Sequence, residues 1–192
     1  MRRFIRLASF TLAVAISLPI AHARAQATPT TTPATPATPA ANPADVASLD
    51  AIVAALYDVI SGPAGQKRDW DRMRSLFIPG ARLIPSSPAP DGKVVPRVLD
   101  VDGYIGRAGP TLEKNGFFER EISRKTETFG TITHAFSTYE SRRTKEDATP
   151  FARGINSIQL VNDGTRWWIV TVFWDSERPN NPLPAKYLPA KD

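Results

Sequence analysis

Residues 154–174 read GINSIQLVNDGTRWWIVTVFW. Two runs rich in Ile, Val, Trp and Phe flank Asn162-Asp163-Gly164, a triplet suited to the positive φ angles of a tight turn. The stretch therefore predicts two long antiparallel strands, 150–161 and 165–176. Upstream, segments 117–129 and 131–143 alternate with the same period of two and meet at Gly130. They predict a second pair. Such strands exceed the usual range of about 3–10 residues, so they must twist or bulge. In the last strand Ile169, Thr171 and Phe173 fall on one face, and Trp168, Val170, Val172 and Trp174 on the other. Apolar residues on both faces predict that both are covered.

Before Gly116 the period changes. Val46, Leu49, Ile52, Val53, Leu56 and Ile60 recur at helical spacing, with Asp45 as the cap and Gly62-Pro63 as the stop. Asp69 caps a short second helix carrying Trp70, Met73, Leu76 and Phe77, which Pro79-Gly80 ends. Residues 81–84 predict a short strand and 94–99 another, placed at an edge by Pro96. Asp100 caps a third helix with Tyr104, Ile105 and Leu112, kinked at Gly109-Pro110. Helices first and a meander after them predict an α+β domain: a curved antiparallel sheet wrapped around three N-terminal helices.

The ends of the chain carry different information. Arg2, Arg3 and Arg6 precede an uncharged, mostly apolar run, 7–20, followed by small-residue cleavage patterns at Ala23, Ala25 and Ala27. This predicts a signal peptide over 1–25 and a periplasmic or secreted protein. The run is shorter than the roughly 20 residues that span a bilayer. Residues 26–44 are an Ala/Thr/Pro-rich linker, 45–176 the folded domain, and 177–192 a Pro-rich tail. The 192 residues carry a net charge of +5, and loss of Arg2, Arg3, Arg6 and Arg24 with the signal leaves +1. Nucleic acid is therefore not an expected partner, nor is a membrane after cleavage. Zero cysteines exclude disulfides, thiolate metal sites and cysteine catalysis. With His134 as the one imidazole left in the mature chain, no metal and no cofactor is expected.

The helix LDAIVAALYDVI (49–60), the step WDRMRSLF (70–77) into GARLI (80–84), and the closing hairpin quoted above resemble the nuclear transport factor 2-like fold. This is the cone shared by SnoaL-like polyketide cyclases, ketosteroid isomerases and scytalone dehydratases. GFFEREI (116–122), HAFSTYESR (134–142) and DGTRWWIVTVFWDSERP (163–179) are similar to a group of exported bacterial proteins of unassigned activity. The resemblance implies a mostly apolar pocket between the helices and the concave sheet face. It also implies homodimers joined through the sheet face.

Polar residues pointing into such a pocket would carry any chemistry. His134 shares a face with Ile132 and Phe136 and is expected toward the core. Glu119 and Glu121 alternate on one strand face; Arg120, Arg124 and Lys125 favour a salt-bridged role for Glu119. Glu121 paired with His134 is the acid–base candidate. Asn156, in GINSIQL, matches the position of the isomerase acid that helps hold an oxyanion, and an amide there can donate a hydrogen bond. The loop that should hold the isomerase base, PSSPAPDG (85–92), has only Asp91. Tyr57, Trp70 and Tyr104 from the helices, with Phe136 and Phe173 from the sheet, are the expected pocket walls. The reading is an exported domain binding a small apolar or amphipathic molecule. The alternatives are a cofactor-independent isomerase, dehydratase or cyclase using Glu121, His134 and Asn156, and a dimeric interaction module.

Overall fold

Aspartates open two of the helices. Asp69 accepts from the Arg72 N–H at 2.8 Å, and Asp100 from the Gly103 N–H at 2.7 Å. A computed structural model describes residues 38–190 except Ser87 and Pro90. The expected signal peptide and most of the expected linker lie outside the described residues. The helices are α1 (Pro43–Val46), α2 (Leu49–Ile60), α3 (Trp70–Leu76) and α4 (Val101–Asn115). The strands are β1 (Phe77–Pro85), β2 (Phe118–Phe129), β3 (Ile132–Arg142), β4 (Ala152–Asn162) and β5 (Trp167–Ser176).

The expected first helix is two helices. Ser48 interrupts it, because its hydroxyl accepts the Ala51 N–H at 3.0 Å and so caps α2. The α2 residues Ile52, Val53, Leu56 and Tyr57 are buried against the sheet. Gly109-Pro110 sits inside α4, where a Cβ on Gly109 would stand 3.1 Å from the Trp70 ring. Residues 94–99 form no strand; Leu99 alone bridges to Leu83. Arg68 pins the ends of α2 and α4 together. Its buried guanidinium donates to carbonyls of Ile60, Gly62, Gln66 and Leu112.

The sheet order is β1-β5-β4-β3-β2. All neighbours are antiparallel except β1, which runs parallel to β5, so the sheet is mixed. Besides a register shift in β1 between Phe77 and Arg82, two bulges in the antiparallel pairings meet the expected need for irregularity. One lies between Glu121 and Ser123; the other, opposite Gln159 and Leu160, steps the pairing from Ile169 to Thr171. The second changes the phase of β5. Ile169 is therefore buried on the helix side with Val172, while Phe173 is 43% exposed on the outer side. Sequence alternation alone puts Ile169 and Phe173 on one face.

The Pro-rich tail lies on the outer face of the sheet. Thr138 donates to the Tyr187 carbonyl at 2.7 Å, and the Tyr187 ring packs 4.9 Å from that of Phe136. Val98 and Phe173 remain open beside it.

Candidate functional site

The helix-facing side of β3 is built from small and polar residues. Ala135, Ser137, Tyr139 and Ser141 are all buried there, leaving depth for α2 and for side chains between the layers. Tyr139 reaches across Gly154, where a Cβ would fall 2.5 Å from its hydroxyl and 2.3 Å from the Asp175 carbonyl. Only a glycine admits that crossing. The result is a narrow cavity of about 110 Å³ between α2, α4 and the sheet. Its walls include Leu56, Tyr57, Tyr104, Glu119, Asn156 and Trp174. An open groove of about 770 Å³ runs along α2 and β2, and Tyr57 and Glu119 line both spaces.

A hydrogen-bonded line connects the two. Ser141 donates to one Glu119 oxygen at 2.8 Å. The Asn156 amide donates to the other at 3.5 Å and to the Tyr57 hydroxyl at 3.1 Å. Tyr57 meets Ser137 at 2.7 Å, and Ser137 donates to Glu121 at 2.5 Å. Burial pushes the Glu119 carboxyl up to about 7, against the hydrogen bonds from Ser141 and Asn156, which favour its ionised form. Burial likewise raises the phenols of Tyr57 and Tyr104, and the Glu119 charge adds to both. Tyr139, bonded to Ser176 at 3.1 Å, is pushed up to about 12 by burial.

Tyr104 is the free donor. Its ring stands edge-on to Trp174 at 6.1 Å, and its hydroxyl has no hydrogen bond among the described residues. A group bound between Tyr104 and Glu119 would meet one phenolic donor and one carboxyl able to hold or release a proton near neutrality.

The sequence-predicted residues divide by face. Tyr57, Tyr104 and Asn156 line the cavity. Glu121 lies in the groove and pairs with Arg124 at 3.2 Å. His134 faces away from the cavity, correcting the expectation of a core-facing imidazole. It meets Ser157 at 2.9 Å beside the Phe136 ring, and its neighbour across β2 is Glu127. Glu121 is opposite Tyr139, so no Glu121–His134 pair forms. The reason is that the apolar members of this face, Ile132 and Phe136, look outward, while the inner face is filled by small residues. Phe136 and Phe173 line a separate outer groove of about 350 Å³ beneath the tail. Trp70 donates its indole N–H to Glu113 at 3.0 Å and is not on the cavity wall. Asn156 already directs its amide hydrogens to Tyr57 and Glu119, so its place is between those two groups.

Glu119, expected in a salt bridge, is instead held by Ser141 and Asn156. The available signal was its partner set: Ser141 sits opposite it on β3, and Asn156 lies one strand further in. The arginines that suggested a salt bridge go elsewhere, Arg120 to Glu140 and Arg124 to Asp50 and Glu121.

No known family profile and no curated protein matches the sequence. Solved structures do match the fold. An NTF2-like protein of unknown function from Silicibacter pomeroyi shares 15% identity, covering 68% of this chain and 94% of its own, with a TM-score of 0.47. A protein of unknown function with a cystatin-like fold from Nostoc punctiforme shares 10%, covering 67% and 87%, at 0.50. A protein from Kribbella flavida shares 9%, covering 69% and 90%, at 0.51. The helix-then-meander order and the agreement with the last two structures show the fold of this chain, the α+β fold expected from its nuclear transport factor 2-like resemblance.

Proposed function

We propose that the protein binds a small amphipathic molecule at the junction of cavity and groove, and that Glu119 handles a proton there. The carrying observation is the setting of Glu119. Its carboxyl lines an apolar cavity, its hydrogen-bond partners are the neutral Ser141 and Asn156, and its ionisation falls near neutrality. The cavity takes only a few non-hydrogen atoms at about 110 Å³. A larger ligand therefore places one end, such as a carbonyl or hydroxyl oxygen, against Tyr104 and Glu119. Its remainder lies in the groove. Export to the periplasm or medium belongs to the same proposal and is supported by the pattern of residues 1–25. A homodimer through the sheet would use the open strip at Val98 and Phe173 beside the tail.

A second reading, an enzyme moving a proton next to a carbonyl, is favoured by the Tyr104 and Glu119 pair. Tyr104 would donate to the oxygen as charge develops, and Glu119 would exchange the neighbouring carbon-bound proton. No step requires a metal or cofactor.

Both readings are tested by titrating small amphipathic ketones while following Trp fluorescence, since Trp174 forms a cavity wall. A saturable change, weakened about tenfold in Tyr104→Phe, is the expected result. No response from any ketone across a broad panel would overturn the binding reading. Deuterium uptake at the carbon beside the carbonyl, lost in Glu119→Gln, would support the enzyme reading.

A further inference from the structure

Glu121 sits on the groove, yet it is joined to the cavity through side chains alone. The bulge after Glu121 makes this possible. In a regular strand residues three apart face opposite sides, but here Glu121 and Arg124 meet at 3.2 Å. Arg124 holds one carboxylate oxygen and is itself anchored to Asp50 on α2. The other oxygen turns to Ser137 at 2.5 Å.

Proton counting fixes the direction of every bond in the line. A carboxylate only accepts, so Ser137 spends its single proton on Glu121. Ser137 must then accept from Tyr57 at 2.7 Å. Tyr57 in turn accepts from Asn156 at 3.1 Å. The one proton of Tyr57 therefore points along the line toward Glu121 and away from the cavity.

We propose that Glu121 is a positioning residue that sets the donor direction of Tyr57. While Glu121 accepts from Ser137, the cavity meets Tyr57 as an acceptor. A donor in the place of the Glu121 carboxylate reverses the line: it donates to Ser137, Ser137 donates to Tyr57, and the Tyr57 proton turns into the cavity beside Glu119. The hydrogen-bonding preference of the cavity is thus set from the groove. Other charged groups around the groove are Asp50 and Asp58 on α2, Arg120 and Arg124 on β2, and Arg142, Lys145 and Asp147 beyond. Asp58 is paired with Arg72, and Arg142 with Glu140. The consequence for a ligand rests on the binding reading above; the reversal itself does not.

Glu121→Gln tests the reversal without any ligand. Arg124 is a donor only, so it takes the amide oxygen and leaves the amide N–H facing Ser137. The probe is the titration of the Glu119 carboxyl by carbon-13 NMR on the free protein. Removing the Glu121 charge can lower the Glu119 midpoint by itself. The experiment is therefore a cycle of Glu121→Gln with Ser137→Ala, which cuts the line but leaves the charge change in both arms. Glu121→Gln is expected to lower the midpoint by about one pH unit more when Ser137 is present than when it is Ala. Tyr57→Phe provides a second cut and is expected to remove the same extra shift. Additive shifts in both cycles, with amide spectra showing folded protein, would overturn the proposal. Binding of ketones by the wild type is measured separately, so failure of one reading leaves the other standing.

Discussion

Ser141 and Glu119 stand opposite each other on β3 and β2, and the Ser141 hydroxyl donates to the Glu119 carboxylate at 2.8 Å. This bond favours the charged form in a setting where burial favours the neutral one. Ser141→Ala should therefore raise the Glu119 midpoint above about 7. A rise of about one pH unit is expected from the loss of one charge-assisted hydrogen bond. Carboxyl NMR titration of the variant measures it.

The same carboxyl makes folding depend on pH. Its folded value is raised above the ordinary 4.5 to about 7, so the folded state binds the proton more tightly than the unfolded state. Its contribution is fully present below 4.5 and is lost as the pH rises through about 7. On the order of 2 kcal/mol should disappear across that window, after discounting for its partial exposure. Urea unfolding at pH 5 and pH 8 should show this loss in the wild type, and Glu119→Gln should abolish it.

Asn156 joins Tyr57 to Glu119. Asn156→Leu removes a donor from each and should cost about 2 kcal/mol of stability. It should also raise the Glu119 midpoint. Unchanged stability with an unchanged midpoint would mean that the amide does not hold the two groups.

Gly154→Ala would set a Cβ 2.3 Å from the Asp175 carbonyl and 2.5 Å from the Tyr139 hydroxyl. Backbone cannot yield as a flexible side chain can, so a loss of about 3 kcal/mol is expected. Tyr139 should be displaced from Ser176, which its ring NMR signals would report.

Much of the fold could be read from spacing and turn residues. Gly130 and Asn162-Asp163-Gly164 mark the tight turns of β2–β3 and β4–β5, and Asp69 and Asp100 cap the helices expected of them. The misreadings arise where tertiary packing overrides local pattern. Ser48 caps a new helix inside an apolar repeat, and Val94–Leu99 has strand composition but meets β1 through Leu99 and one bond from the Arg97 N–H to the Pro85 carbonyl. The site suffered more. His134 has apolar strand neighbours, but apolar residues cover both faces of this sheet, so neighbours do not reveal which face is inner. The inner face is marked instead by Ala135, Ser137 and Ser141, small residues that make room for α2. Bulges cannot be read from alternation, and two of them decide the phase of Arg124 and Ile169.

The proposed function stands on Glu119 as a cavity carboxyl held near neutrality by burial. Carbon-13 NMR of the Glu side-chain carboxyls across pH 3–9, with Glu119→Gln to assign the signal, tests it directly. The expected midpoint for Glu119 is about 7. A midpoint at the ordinary 4.5 would contradict it.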